Sequence, residues 1–122
     1  HTEPLFTNNA FENNGLQLDP YLKDYGRMTI TNNPMDSLKF KVPTLRNIQF
    51  TAPYMHDGRF ETLQEVLTHY SSEMANSSSM AKSLENNIQL SHKERVDLMV
   101  FLRTLTDTEF LFDKRFSYPT IN

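Results

Sequence analysis

The chain has 122 residues, of which 38% are hydrophobic; its net charge is −3, and it contains no cysteine. This length suits one domain with a modest core. The acidic balance argues against nucleic-acid or anionic-membrane binding. No apolar run approaches the roughly 18 residues that a membrane span requires. Without cysteine there is no disulfide or thiol chemistry. The low hydrophobic fraction predicts that much of the chain forms loops. It also predicts that a bound cofactor or a partner domain completes the core.

Residues 1–40 predict an ordered loop rather than regular secondary structure. They are rich in Asn, Asp, Pro and Gly, and a residue that precedes proline is disfavoured in a helix. We therefore expect at most one short hairpin here, with Leu16–Leu18 and Met28–Ile30 as possible extended stretches.

Residues 41–60 predict a short helix followed by a rigid turn. Pro43 suits the first position of a helix that runs to about Ile48. The segment Thr51–Gly58 packs Pro, Tyr, Met, His, Asp and Gly into a non-helical turn. Defined loops of this kind often line functional sites.

Two helices are predicted in the second half of the chain. Thr62 and Glu65 form a capping-box pattern, as do Ser91 and Glu94. The first helix carries one apolar stripe, whereas the second has a wide apolar face and is expected to be well buried. A Ser- and Asn-rich loop is expected over 71–83, and a tail over 106–122 that wraps the surface. The first stripe consists of Leu63, Val66, Leu67 and Tyr70.

The four histidines show no paired metal-ligand spacing. His92 falls in the first turn of a helix, where a solvated side chain is expected, and His69 is expected to be exposed or to pack beside the first stripe. The sequence contains no nucleophile elbow, phosphate loop or dinucleotide-binding motif.

Three stretches at fixed spacing carry a family resemblance: Phe40–Ile48 (F-K-V-P-T-L-R-N-I), Thr51–Gly58 (T-A-P-Y-M-H-D-G) and Thr62–Val66 (T-L-Q-E-V). Together they resemble the hallmark of bacterial dihaem cytochrome c peroxidases. The start and the end also fit, and the similarity covers nearly the whole chain. The supporting residues are Pro4–Thr7, Phe11 and Asn14–Gly15 at the start, and Leu90, Glu94 and Phe101–Thr106 at the end.

The resemblance implies an all-α, cytochrome c-like domain with long ordered loops that binds haem c. In that family His1 would be the histidine of C-x-x-C-H and the proximal iron ligand. Many members place a methionine at the position of Tyr70, whereas members that resemble the methylamine-utilisation enzyme carry tyrosine there. The resemblance therefore implies Tyr70 as the second ligand, with Met74 and then Met55 as alternatives. Since both thioether cysteines are absent, this chain cannot hold haem covalently.

The resemblance assigns further residues to the haem surroundings. Arg46 and His56 would flank the pocket, and a guanidinium suits a haem propionate. Phe6, Leu5, Leu45, Met55 and Leu67 would form its walls. The backbone carbonyls of Thr51 and Pro53 would bind calcium between two haem domains, although two carbonyls cannot fill a site of six to eight oxygens.

The sequence is thus interpreted as a C-terminal cytochrome c-like domain over 1–122, cut just after the C-x-x-C of the haem motif. Its parent would be a periplasmic dihaem peroxidase that reduces hydrogen peroxide. Its partners would be an N-terminal haem domain and a small electron-donor protein. Two alternatives stay open: a high-valent dihaem oxidase of a protein or organic substrate, and an apo, non-catalytic electron-transfer fragment. The fragment is expected to be inactive alone.

Overall fold

A short antiparallel sheet joins two segments of the first third of the chain. The computed structural model describes residues 1–117. In it β1 (Phe11–Glu12) pairs with β2 (Phe40–Lys41), with Phe11 opposite Lys41 and Glu12 opposite Phe40. The segment between the strands holds only a short helix, α1 (Met28–Thr31), and a 3-10 turn, Pro34–Asp36. The strands are therefore joined by a long excursion and not by a tight hairpin.

The longer helices lie in the second half and begin at capped ends. α2 (Leu63–Thr68) and α3 (His92–Thr104) are followed by the short α4 (Thr108–Leu111). The predicted capping boxes are confirmed: the Thr62 hydroxyl accepts from the Glu65 amide at 3.2 Å, and the Glu65 carboxylate accepts from the Thr62 amide at 2.8 Å. Ser91 and Glu94 repeat this arrangement. No helix within residues 1–117 has the length and apolar content to cross a membrane.

The prediction of an all-α fold is wrong. Only 38% of the structure is helical, and it includes the β1–β2 sheet. The reason lies in the first 60 residues, where Asn, Asp, Ser and Thr side chains bond to nearby backbone groups and compete with helix formation. Asn8, Asn14, Asp19 and Asp24 each accept a hydrogen bond from the backbone amide two residues later.

Two local predictions in this half also fail. A helix over 43–48 does not form, because the Leu45 amide bonds to the Phe6 carbonyl at 3.2 Å and Asn47 adopts a left-handed conformation with φ of 61°. A 3-10 turn, Ile48–Phe50, follows instead. Met28–Ile30 is helical rather than extended, since it belongs to α1.

The loop expected over 71–83 is partly ordered. α2 continues directly into a wider π-helical turn, His69–Glu73, and a third 3-10 turn follows at Lys82–Leu84. The described part of the tail likewise contains α4 and a 3-10 turn, Lys114–Phe116. The remainder of the predicted tail, 118–122, lies outside the described residues.

The apolar core is small. Its buried hydrophobic members are Leu16, Leu63, Leu67, Ala81 and Leu102. α3 was expected to be well buried, but this prediction is wrong for the chain by itself: Leu102 is its only buried residue. Val96, Val100 and Phe101 are 48%, 55% and 44% exposed. The wide apolar face predicted for α3 is therefore real as a pattern but largely uncovered within residues 1–117.

Candidate functional site

The first seven residues dock against the segment that follows β2. The Thr7 hydroxyl donates to the Val42 carbonyl at 2.6 Å, and the Thr44 hydroxyl donates to the Leu5 carbonyl at 2.5 Å. These contacts join residues that are far apart in sequence, and they bring the start of the chain to the first of the motif stretches. They set the backbone from which His1 projects.

One ring nitrogen of His1 has a backbone partner. Its Nδ1 lies 2.8 Å from the carbonyl oxygen of Phe6. Metal-ligating histidines commonly donate one ring N–H to a backbone carbonyl, which fixes the tautomer and leaves the other nitrogen to the metal. The same geometry in His1 would leave Nε2 free to bind a metal.

Phe6 and Arg46 share a shallow cleft of about 310 Å³ between the start of the chain and the end of α3. The Phe6 ring also meets the Phe101 ring edge-on, with centroids 6.1 Å apart. The structure thus brings Phe6 and Arg46 together at the end of α3, and it brings Phe6 against the exposed Phe101 of that helix. The remaining lining residues of the cleft are Pro4 and Thr104–Asp107. A larger groove of about 430 Å³ on the outer side of α2 contains none of the predicted site residues.

The other predicted pocket walls do not share this cleft. Leu67 is buried in the core, whereas Leu5 is 52% exposed. Leu45 and Met55 are partly buried. Of the five predicted wall residues, only Phe6 therefore lines this cleft.

The turn predicted over Thr51–Gly58 is confirmed, and the backbone pair that closes it extends to Phe60. Tyr54 pairs with Phe60 through two backbone hydrogen bonds of 2.7 and 3.5 Å, and the Tyr54 hydroxyl donates to the Ile48 carbonyl at 2.9 Å. Met55 and Gly58 take positive φ of 73° and 70°. The turn is thus held by its own backbone pairs.

His56 does not approach Arg46 through any hydrogen bond or ring contact within residues 1–117. Its ring stacks on Phe40 with centroids 3.6 Å apart and planes inclined by 10°. Desolvation in this stack lowers the pKa of His56, against the opposing charges of Asp57 and Asp24. Thr51 and Pro53 both lie at the surface.

Tyr70 is partly buried in the π-helical turn after α2. Burial raises the pKa of its phenol, and the side chain of Asn14 acts in the opposite direction. π-Helical turns inside α-helices are frequently found at functional sites. Met74 follows the same turn and packs on Gly15. The packing is so close that a Cβ atom added to Gly15 would lie 2.9 Å from the Cβ atom of Met74. Tyr70 and Met74 therefore both adjoin the segment Asn13–Gly15.

His69 is buried, whereas the sequence left open an exposed side chain or one packed beside the first stripe. It is only 2% exposed, and its Nε2 lies 3.0 Å from the carbonyl oxygen of Asn14. Its ring also approaches those of Phe60 and Tyr70. Nothing in the apolar periodicity could have revealed this, because the backbone widens into a π turn at this residue.

These features fit a haem-binding role in their chemistry, though not in covalent attachment. A histidine with a backbone-bonded Nδ1 and a partly buried phenol are both donors used by haem proteins. The uncovered apolar residues of α3 match the need of a macrocycle for an apolar surround. Thioether bonds, however, cannot form within this chain because it contains no cysteine. Residues 1–117 also hold no cluster of three or more metal-binding His, Asp or Glu side chains.

Relatives among characterised proteins identify the class. No family model matches the chain. It is 40% identical over 86 residues to the cytochrome-c peroxidase IdrP1 of Pseudomonas sp. strain SCT, covering 70% of this chain and 22% of that protein. It is 34% identical over 107 residues to the methylamine utilization protein MauG of Methylophilus methylotrophus, covering 86% of this chain and 30% of that protein.

A solved structure agrees with these relatives. The chain superposes on a MauG-like protein associated with microbial copper homeostasis with a TM-score of 0.74 and 37% identity, covering 90% of this chain and 36% of that one. A cytochrome c-like fold is consistent with these matches. The chain belongs to the family of dihaem cytochrome c peroxidases and MauG proteins. It spans about a fifth to a third of the length of the curated relatives described here.

Proposed function

We propose that this chain is the C-terminal, haem c-binding electron-transfer domain of a periplasmic dihaem peroxidase that reduces hydrogen peroxide. The observation that carries the proposal is the contact of His1 Nδ1 with the Phe6 carbonyl at 2.8 Å. This contact suits a histidine whose Nε2 serves a metal. Membership in the peroxidase and MauG family supports a haem cofactor.

Different residues of this chain would bind different parts of the haem. His1 and Tyr70 would hold the haem iron, one from each half of the chain. Arg46 would pair with a propionate from the cleft that it shares with Phe6. The bare apolar face of α3 would exclude water from the cofactor. When bound, the haem would supply one-electron redox chemistry at its iron.

The proposed role of Tyr70 is tested in the full-length, haem-containing protein with Tyr70→Phe. We expect the ferric absorption spectrum to shift, because the phenol oxygen would be lost as a ligand. Tyr21→Phe serves as the matched control, since it removes the same hydroxyl from a tyrosine that is 93% exposed. An unchanged spectrum in Tyr70→Phe, or a methionine-to-iron charge-transfer band in the unmodified protein, would reject Tyr70 in favour of Met74.

Haem attachment itself is tested on the 122-residue chain. We expect little stoichiometric haem and at most weak peroxidase activity, because no thioether can form. An intense Soret band that resists acid-acetone extraction would contradict this expectation.

A second candidate function is the oxidation of a protein or organic substrate by the same haem pair. The observation that favours it is the partly buried phenol of Tyr70. An anionic oxygen donor stabilises oxidised iron, whereas a thioether stabilises the reduced state. Assays of the full-length protein separate the two functions: the first predicts that hydrogen peroxide is reduced with electrons from a small donor protein, whereas the second predicts an oxidised protein or organic product. Under both, tyrosine ligation predicts a reduction potential well below that of the Tyr70→Met variant.

The proposal includes two kinds of partner. An N-terminal haem domain of the same parent would complete the active protein, and a small electron-donor protein would supply electrons. The surface-lying Thr51 and Pro53 would contribute carbonyl oxygens to a calcium site shared with that domain. Since two carbonyls leave most of a calcium shell unfilled, calcium titration of the 122-residue chain should give weak binding. Micromolar affinity would show that the chain completes the site without a partner.

A further inference from the structure

Arg46 lies between two residues whose backbone amides are bonded to distant parts of the chain. On one side, the Leu45 amide donates to the Phe6 carbonyl at 3.2 Å. On the other side, the Asn47 amide donates to the carbonyl of Leu105, the residue that follows α3, at 2.9 Å. The backbone of Arg46 is therefore tied both to the start of the chain and to the end of α3.

Asn47 adds a side-chain bond to the same end of α3. Its Oδ1 accepts from the Asp107 amide at 2.6 Å, and both residues are partly buried. Asn47 adopts the left-handed conformation, with φ of 61°, which asparagine tolerates better than most residues. In this conformation one residue bonds to Leu105 through its amide and to Asp107 through its side chain.

The segment that Asn47 holds is also a wall of the cleft that contains Arg46. Thr104–Asp107 line this cleft together with Pro4, Phe6 and Arg46. Arg46 itself is exposed, so its guanidinium is open to a ligand. Because an arginine side chain loses much rotamer freedom when it pairs with a carboxylate, a backbone that is already fixed lowers the cost of that pairing.

Asp107 is the acidic residue of this lining, and its carboxylate has another partner. Its Oδ1 accepts from the Phe110 amide at 2.9 Å and so caps α4. Within residues 1–117 no ion pair joins Arg46 to Asp107 or to another carboxylate. The guanidinium of Arg46 is therefore held beside the cleft without an ionic partner from the described part of the chain.

We propose that Asn47 is a positioning residue for Arg46. By bonding to the end of α3 through both its amide and its side chain, it holds Arg46 at the cleft, where the guanidinium pairs with a haem propionate. The inference deepens the proposed function and rests on the role proposed there for Arg46. Asn47 acts through Arg46 and does not itself bind the haem.

The test uses the full-length haem-containing protein and compares Asn47→Gly with Arg46→Gln. Glycine accepts the left-handed backbone but lacks the side-chain oxygen. A propionate without its cationic partner leaves more negative charge near the iron and favours the oxidised state. We therefore expect Arg46→Gln to lower the midpoint reduction potential of this haem, and Asn47→Gly to shift it in the same direction. Asn32→Gly, at another left-handed asparagine with φ of 52°, is the matched control and should leave the potential unchanged.

Amide hydrogen exchange in the same protein tests the contact itself. In Asn47→Gly the exchange of the Asp107 amide should rise about tenfold, as the loss of one hydrogen bond implies. Asn47→Asp keeps an oxygen for that amide and should keep its exchange slow. If Arg46→Gln lowers the potential but Asn47→Gly does not, the positioning role of Asn47 is overturned while the proposed function stands. If Arg46→Gln leaves the potential unchanged, the pairing of Arg46 with a propionate is wrong, and the role of Asn47 is overturned with it.

Discussion

The two halves of this molecule are stabilised by different interactions. Residues 1–60 contain few buried apolar side chains and are held by hydrogen bonds between side chains and backbone, often over long sequence separations. Residues 61–117 contain the longer helices, with capped ends and most of the buried leucines. The comparison teaches that the proposed haem ligands come from unlike surroundings: His1 from a docked loop, and Tyr70 from the turn that ends a capped helix.

The largest expected effect tests whether apolar burial dominates the second half. Leu67→Ala removes a side chain that is 8% exposed. We expect it to lower the free energy of unfolding by about 2–5 kcal/mol, through lost burial and the cavity left behind. Urea unfolding measures the change. Val100→Ala, at a residue 55% exposed, is the control and should cost far less; equal costs would refute a core centred on α2.

The next effect concerns the polar network of the first half. Asn13→Ala would remove the amide that donates to Ser77 and Ser79, and it would leave the buried Gly15 amide, which lies 2.9 Å from the Asn13 oxygen, without its partner. Leaving buried polar groups without partners should cost about 1–3 kcal/mol by the same measurement. The exposed Asn76 provides the matched control as Asn76→Ala. A cost above that of Leu67→Ala would reverse the comparison between the halves.

A smaller effect is expected at the helix caps. Thr62→Ala and Ser91→Ala each remove a hydroxyl that accepts from the third residue of a helix. A cost of about 1 kcal/mol is typical for such a change. Thr68→Ala, near the end of α2, is the control. If neither cap variant is less stable than its control, the helices are stabilised by packing alone.

The smallest effect is a loss of stability in acid. Hydrogen bonds from Thr62 lower the pKa of Glu65, and those from Ser91 lower the pKa of Glu94. A carboxylate whose pKa is lowered on folding stabilises the folded state above its unfolded value, near 4.5, and this contribution disappears as pH falls through the folded pKa. The melting temperature should therefore decrease as the pH is lowered below about 4.5. The decrease should be less steep in the double variant Glu65→Gln, Glu94→Gln. If melting temperature depends on pH equally in the double variant and the unmodified protein, the two capping boxes are not the source of the acid sensitivity.

The difference between the halves also explains which predictions succeeded. Capping boxes and the turn at Thr51–Gly58 depend on neighbouring residues, and the structure confirms them. The all-α prediction was wrong because Asn- and Asp-rich turns form where helix was expected. The predicted helix over 43–48 does not form because the Leu45 amide bonds to the Phe6 carbonyl. The choice of His1 and Tyr70 as ligands came from the family resemblance and stays a prediction.

By itself the sequence determined the caps, the apolar stripe of α2 and the family, because these depend on residue types at short, fixed spacings. Only the tertiary structure decided that β1 pairs with β2, that residues 1–117 leave the apolar face of α3 largely uncovered, and that His69 is buried against Asn14. Each of these depends on which distant segment lies opposite. A π-helical turn also changes the direction of every side chain on it, which a helical periodicity of 3.6 residues cannot register.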